Sequence, residues 1–142
     1  MSKIRVGWKE KAKLSGLGIS SIKIKVDTGA KTSSLHAFDI KTFDKDGNTY
    51  VSFKTCPLRR HPKRVFNCEA EMIDFRKITS SNGQTQSRYV IRTPITIGDQ
   101  TWDIDISLAN REKMRYKMLL GREAMENILV SPTEAYLQSP KD

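Results

Sequence analysis

Cysteine and histidine are scarce in this sequence, with two of each among 142 residues, and no stretch approaches the roughly 18 apolar residues that a membrane-spanning helix needs. One pair of thiols, Cys56 and Cys68, is too few for a disulfide framework and suits a reducing compartment. The basic start, MSKIRVGWKEKAK, holds no apolar stretch of signal-peptide length, so the chain reads as cytoplasmic and without membrane contact. Two histidines far apart, His36 and His61, cannot make the helical pair of the common zinc proteases. Cys56, His61 and Cys68 offer three possible zinc ligands, but their spacing matches no common site and a fourth ligand is missing; no metal and no other cofactor is expected. The phosphate loop of the common ATPases is absent as well. Lys31-Thr32 follows a single Gly29-Ala30 and lacks the motif's first glycine.

What remains is a polar but foldable composition, 37% hydrophobic and 29% charged, of a length suited to one domain over residues 1–142. The net charge is +9, densest at Arg59-Arg60-His61-Pro62-Lys63-Arg64. Such charge can serve phosphates, anionic membranes or acidic peptides, or simply a solvated loop. No aromatic residue interleaves these six, so the stacking platform of a single-strand binder is missing there. A basic RNA- or ribosome-binding domain therefore stands as a weaker third reading.

From Ser21 onward apolar residues alternate with polar ones, the period of strands. Lys41 to Lys54 reads as a hairpin turning at Asp46-Gly47-Asn48, and Phe66, Cys68, Ala70 and Met72 share one face of the next strand. Ser80-Ser81-Asn82-Gly83-Gln84 joins Phe75–Thr79 to Ser87–Arg92 in a second, longer hairpin. In Thr101 to Leu108, Trp102, Ile104, Ile106 and Leu108 point inward, while Asp103, Asp105 and Ser107 point outward. Met118-Leu119-Leu120 is a short buried strand, and Arg122 to Ile128 is the best helix candidate. Short strands and frequent turns, with one short helix near the C-terminus, predict a mainly β, closed or sandwich-like barrel.

The chemistry-bearing stretch is SIKIKVDTGAKTSSLHA, Ser21 to Ala37. Ile22, Ile24 and Val26 alternate with Lys23 and Lys25, and the strand then breaks at Asp27-Thr28-Gly29-Ala30. An Asp-Thr-Gly can be an ordinary surface turn. Here, however, the acid ends an apolar strand, and Gly29 allows a sharp bend or the close approach of another chain. Far downstream, Leu119-Leu120-Gly121-Arg122-Glu123-Ala124 brings two apolar residues and a glycine into a short helix.

Together, and in this order, the two segments resemble the signature pair of retropepsins, the single-domain aspartic proteases of retroviral type. The Asn82-Gly83 hairpin falls where that fold carries its flap. More narrowly, Gly7 to Glu10, Lys25 to Ala37, Ser80 to Gly83, Asn110 to Tyr116 and Met118 to Ala124 are similar to a bacterial and archaeal family labelled ATP-dependent zinc proteases. That retropepsin-like family tends to accompany ATP-grasp ligases that add glutamates to a ribosomal protein. Its zinc and ATP label has no counterpart in these residues.

The resemblance implies a retropepsin-like barrel and a homodimer, with one catalytic Asp27 from each subunit. Thr28 would bond across the axis, Gly29 would permit the close approach, and Leu119, Leu120 and Gly121 would support the loop. Ala30, Lys31, Ser81, Asn82 and Gly83 would meet substrate. Retropepsins carry an acid where this chain has Lys31; that cation either faces solvent or, with His36 downstream and a net charge of +9, serves an acidic peptide or protein substrate. The alternative is a non-catalytic module that binds an ATP-grasp ligase or ribosomal partner.

Overall fold

In the computed structural model, which describes residues 3–79 and 82–138, the alternating pattern becomes eleven strands among the described residues. They are β1 (Ile4–Gly7), β2 (Lys9–Leu14), β3 (Ile19–Val26), β4 (Ser33–His36), β5 (Phe38–Lys45) and β6 (Asn48–Thr55). After these come β7 (Phe66–Thr79), β8 (Thr85–Ile97), β9 (Gln100–Ala109), β10 (Met118–Leu120) and β11 (Ile128–Ser131). Nine lie in one sheet, in the order β2-β3-β10-β4-β9-β8-β7-β6-β5. Lys13 of β2 also pairs with Thr96 of β8, so that β2, β3, β10, β4, β9 and β8 close into a six-stranded barrel. The mainly β, closed-barrel expectation is met.

The barrel interior is filled by the inward set of each strand. Leu14, Ile22, Ile24, Ile95, Ile106 and Leu120 are all essentially sealed from solvent, each burial stabilising by about 1.5–3 kcal/mol. Beyond the barrel, β5, β6 and β7 continue the sheet, and the β5–β6 turn falls at Asp46-Gly47 as expected. Both residues have positive φ, 52° and 82°, the geometry that a tight hairpin turn demands. The β7–β8 hairpin is longer than the sequence pattern implied. Its strands run 14 and 13 residues, and their register carries to Thr79 opposite Thr85, whose hydroxyls lie 3.0 Å apart.

Two expectations fail for stated reasons. Arg122 to Ile128 is no α-helix: only Arg122–Ala124 forms a 3-10 turn, because Ile128–Ser131 are drawn into a parallel ladder with β1, Ile4 opposite Ile128. Ser107 does not point to solvent either. It is fully buried, and its hydroxyl donates to the Ser33 carbonyl at 2.9 Å, which satisfies the polar group that burial would otherwise strand.

One carboxylate ties the segment at Gly7 to the segment at Leu137 and Gln138. Glu10 is 0% exposed, and its Oε2 accepts the N–H groups of Gly7 at 2.8 Å and Leu137 at 2.7 Å. Its Oε1 accepts Gln138 N–H at 3.2 Å. Alongside it, Trp8 N–H donates to the Glu134 carbonyl and Tyr136 N–H to the Lys9 carbonyl. Gly7 is required where it stands, because a Cβ there would run into the Glu134 and Ala135 backbone. Glu10→Gln keeps the shape but turns a donor toward amide donors, so unfolding free energy should fall by about 2–3 kcal/mol, read from a lower urea midpoint at unchanged slope. An unchanged midpoint would mean that these amides do not depend on the carboxylate.

Candidate active site

Asp27 follows the last residue of β3, where the chain must turn because β10 occupies the space between β3 and β4. β10 runs parallel to β3, with Leu120 opposite Val26, and antiparallel to β4, with Leu119 opposite Ser34. The ladder extends one step beyond the strand: Asp27 N–H donates to the Leu120 carbonyl at 2.9 Å. The Asp27 side chain then closes the turn, its Oδ1 accepting Gly29 N–H at 2.9 Å, while the Asp27 carbonyl accepts Ala30 N–H at 3.2 Å. Asp27 is half-buried; Thr28, Gly29 and Lys31 are exposed.

The segment after β10 fastens this loop. Gly121 N–H donates to Ser33 Oγ at 2.9 Å, Arg122 N–H to the Ala30 carbonyl at 2.8 Å and Glu123 N–H to the Lys31 carbonyl at 3.0 Å. The Arg122 guanidinium reaches the Thr28 carbonyl at 2.9 Å. Gly121 lies so close beneath the loop that a Cβ would come within 2.7 Å of the Thr32 carbonyl carbon. Of the sequence-derived candidates, Asp27, Thr28, Gly29, Ala30, Lys31, Leu119, Leu120 and Gly121 are thus brought into one neighbourhood. Leu120 is core; Leu119 is only half-buried.

Asn82 and Gly83 sit at the tip of the β7–β8 hairpin, where Asn82 Oδ1 accepts Gln84 N–H at 3.2 Å and Gly83 has a φ of 85°. Ser81, also named as a candidate, lies outside the described residues. Lower on the hairpin, Phe75 is exposed and packs on Tyr89 with ring centroids 4.7 Å apart.

Sequence reasoning missed the cations around the acid. Arg111, in the loop after β9, is held by its Nε donating to the Tyr116 carbonyl at 3.1 Å. Burial, then the charge of Arg88 on β8, pull its guanidinium below the ordinary value; Asp27 lies near enough to act in the opposite direction. Arg88 itself is lowered by burial. The only local sign of Arg111 was its place in the Asn110 to Tyr116 block, which names no neighbour.

His36 is misassigned as a substrate-facing cation. It is 3% exposed, and its Nδ1 accepts the Arg111 backbone N–H at 2.9 Å, so it positions the loop that carries Arg111. Lys117 completes that loop, its Nζ donating to the carbonyls of Arg111, Glu112 and Met114. The three residues weighed and set aside as zinc ligands also differ in character. Cys68 is buried and donates to the Leu17 carbonyl at 3.5 Å, burial pushing its thiol up to about 11, whereas His61 is exposed. Among the described residues no three His, Cys, Asp or Glu side chains gather as a metal site, and no helix is long and apolar enough to cross a membrane.

Comparison with known proteins follows the same lines. The RimB-like family model, described as "Retropepsin-like aspartic endopeptidase RimB", matches residues 5–141. A probable alpha-L-glutamate ligase from Shewanella pealeana is 42% identical over 141 residues, 99% of this chain and 31% of that protein. One from Desulfotalea psychrophila is 45% identical over 128 residues, 89% of this chain and 28% of that protein. The chain therefore spans about a third of the length of these relatives. A crystal structure of a Legionella pneumophila protein of unknown function superposes with a TM-score of 0.81 at 31% identity, covering 96% of this chain and 99% of that one.

Two outcomes follow from the geometry. Gly121→Ala should destabilise by about 1–3 kcal/mol, measured by denaturant unfolding, because the methyl meets backbone rather than a movable side chain. The second concerns His36, whose folded pKa lies below 6.5 through burial first, then Lys117 and Arg111, with Glu112 opposing. The unfolded chain then binds the extra proton first, so stability is full above about pH 6.5 and falls as the pH drops toward the folded value. Thermal melts between pH 7.5 and 5 should show that loss, and His36→Asn should flatten it; equal slopes in both proteins would remove His36 as the cause.

Proposed function

Because the chain belongs to the RimB-like family, whose model is described as a retropepsin-like aspartic endopeptidase, we propose that it hydrolyses peptide bonds with an aspartate dyad completed by two-fold dimerisation. The observation that carries this reading is Asp27 itself. It sits at the end of an apolar barrel strand, in a turn braced by the Leu120-Gly121-Arg122 segment and left accessible on its outer side.

Two carboxylates facing each other across an axis cannot both ionise at contact distance, so the working pair shares a proton. The charged member takes a proton from a bound water, which attacks the scissile carbonyl. The protonated member polarises that carbonyl and later delivers its proton to the leaving amine. Thr28, exposed in the single chain, bonds to the partner's loop. The hairpin bearing Asn82 and Gly83 lies over the peptide, contacting its backbone and excluding water. Lys31, Arg88 and Arg111 give the surroundings of Asp27 a positive character that favours an acidic peptide, including one carrying added glutamates.

The names of the relatives favour a second reading. A domain forming about a third of proteins named as glutamate ligases could instead serve as a module that holds the ligase's acidic product or partner without cutting it.

Asp27→Asn separates the two. The amide is nearly isosteric and keeps an acceptor for Gly29 N–H, so fold and association should survive. Hydrolysis of a glutamate-rich peptide should fall by at least ~100-fold, and wild-type cleavage should be strongest on the acid side of neutrality. Cleavage by Asp27→Asn at the wild-type rate would refute the aspartic mechanism. If wild type cuts nothing while both forms bind an acidic peptide equally, the module reading replaces it.

A further inference from the structure

A second concentration of charge lies away from the Asp27 turn, on the outer face of β2 and β3. The antiparallel register sets Lys9 opposite Lys25 and Lys11 opposite Lys23, while Glu10, Ala12, Ile22 and Ile24 between them are buried. Like charges directly opposite on neighbouring strands destabilise a sheet, and here two such pairs follow one another. The loop after β6 adds to them. The Lys23 ammonium is depressed by partial burial first, then by Arg59, Lys11, Arg60 and Lys9, so cations from three segments converge on one place. Nothing in barrel packing asks for this, because an outward strand position accepts uncharged residues as readily.

Aromatic rings are present, but cations cover them. Lys9 Nζ lies 4.7 Å from the centre of the Trp8 ring and 5.4 Å from that of Tyr136. The Arg59 guanidinium lies 5.9 Å from Tyr116, which itself meets Trp8 edge-on at 6.3 Å. Ring faces capped in this way are poor platforms for stacked bases. What the surface offers is positive charge at strand spacing, about 7 Å between Lys9 and Lys11 and again between Lys23 and Lys25. Alternate side chains of an extended peptide repeat at that same distance. The ladder also begins two residues before Asp27, at Lys25, and runs away from it along β3.

We propose that the outer face of β2 and β3, together with Arg59 and Arg60, is a docking surface for an extended acidic peptide segment, distinct from the Asp27 loop. It rests on the acidic-substrate reading for the identity of that segment, while binding there needs no catalysis. A substrate with a long acidic tail would be held at two places, raising its effective concentration at the cleavage site.

The test is fluorescence anisotropy with a labelled glutamate oligomer of about ten residues, in an Asp27→Asn background so that nothing is cut, at about 0.15 M salt. Replacing Lys23 and Arg59 together by Gln should weaken binding about tenfold or more. Replacing Lys41 and Lys45 of β5 by Gln removes the same charge elsewhere and should change it less than about twofold. Equal losses from the two pairs would reduce the effect to net charge and overturn the proposal, as would failure of the oligomer to bind. An RNA oligomer that binds more tightly than the peptide and depends on Lys23 and Arg59 would also overturn it, assigning the surface to nucleic acid. Peptidase function is scored separately. If wild type cuts no peptide yet the Lys23 and Arg59 effect holds, the endopeptidase reading fails and the docking surface stands. Should wild type cut acidic peptides with a KM that the paired Gln variant leaves unchanged, the docking surface fails and the endopeptidase stands.

Discussion

Insertion of β10 between β3 and β4 is the constraint on which the site depends. Three residues, Met118 to Leu120, give β3 a parallel neighbour and β4 an antiparallel one, and so separate two strands that would otherwise be adjacent. The chain between them has to leave the sheet, turn and return, and Asp27 stands at the departure. A loop of this kind would be floppy if it were held only at its ends. The backbone of Gly121, Arg122 and Glu123 pins it at Ser33, Ala30 and Lys31, and the absence of a side chain at Gly121 lets the two segments approach to contact. Rigidity at Asp27 is therefore supplied from nearly the other end of the chain.

The electrostatics around the acid belong to a different part of the fold. Arg111 reaches Asp27's surroundings from a loop shaped by His36 and Lys117, one accepting a backbone N–H and the other donating to three carbonyls. The loop's form thus depends on a neutral imidazole and a charged ammonium packed close together. Burial first, and the Lys117 charge second, depress the histidine, and this couples the position of a cation near Asp27 to acidity.

How much of this could be read from the sequence depended on whether the signal was local. Asp27-Thr28-Gly29 and Leu119-Leu120-Gly121 are contiguous motifs whose turn and strand chemistry is written in adjacent residues, and they do come together. β1 and β2 were not anticipated, because Glu10 occupies an inward position and the lysines around it resemble a solvated leader. The expected helix after Gly121 failed because a partner strand more than a hundred residues upstream competes for Ile128 to Ser131. His36 was misread for a similar reason: β4 lies between β10 and β9, so all four of its residues are buried, and strand alternation no longer reports exposure. The cluster at Arg59 looked devoid of aromatics in sequence; the fold brings Tyr116 to it from another element.

The hydrogen bond from Asp27 N–H to the Leu120 carbonyl also has a bearing on timing. Pairings between distant segments form slowly, since a long loop must close before any contact rewards it. A chain emerging from synthesis can build the β5–β6 and β7–β8 hairpins early, but the turn that holds Asp27 has no floor until residues 118–123 have been made and threaded between β3 and β4. A partly synthesised or truncated chain would carry the acid without its support. The fold thus leaves the Asp27 loop unformed until almost the entire barrel exists around it.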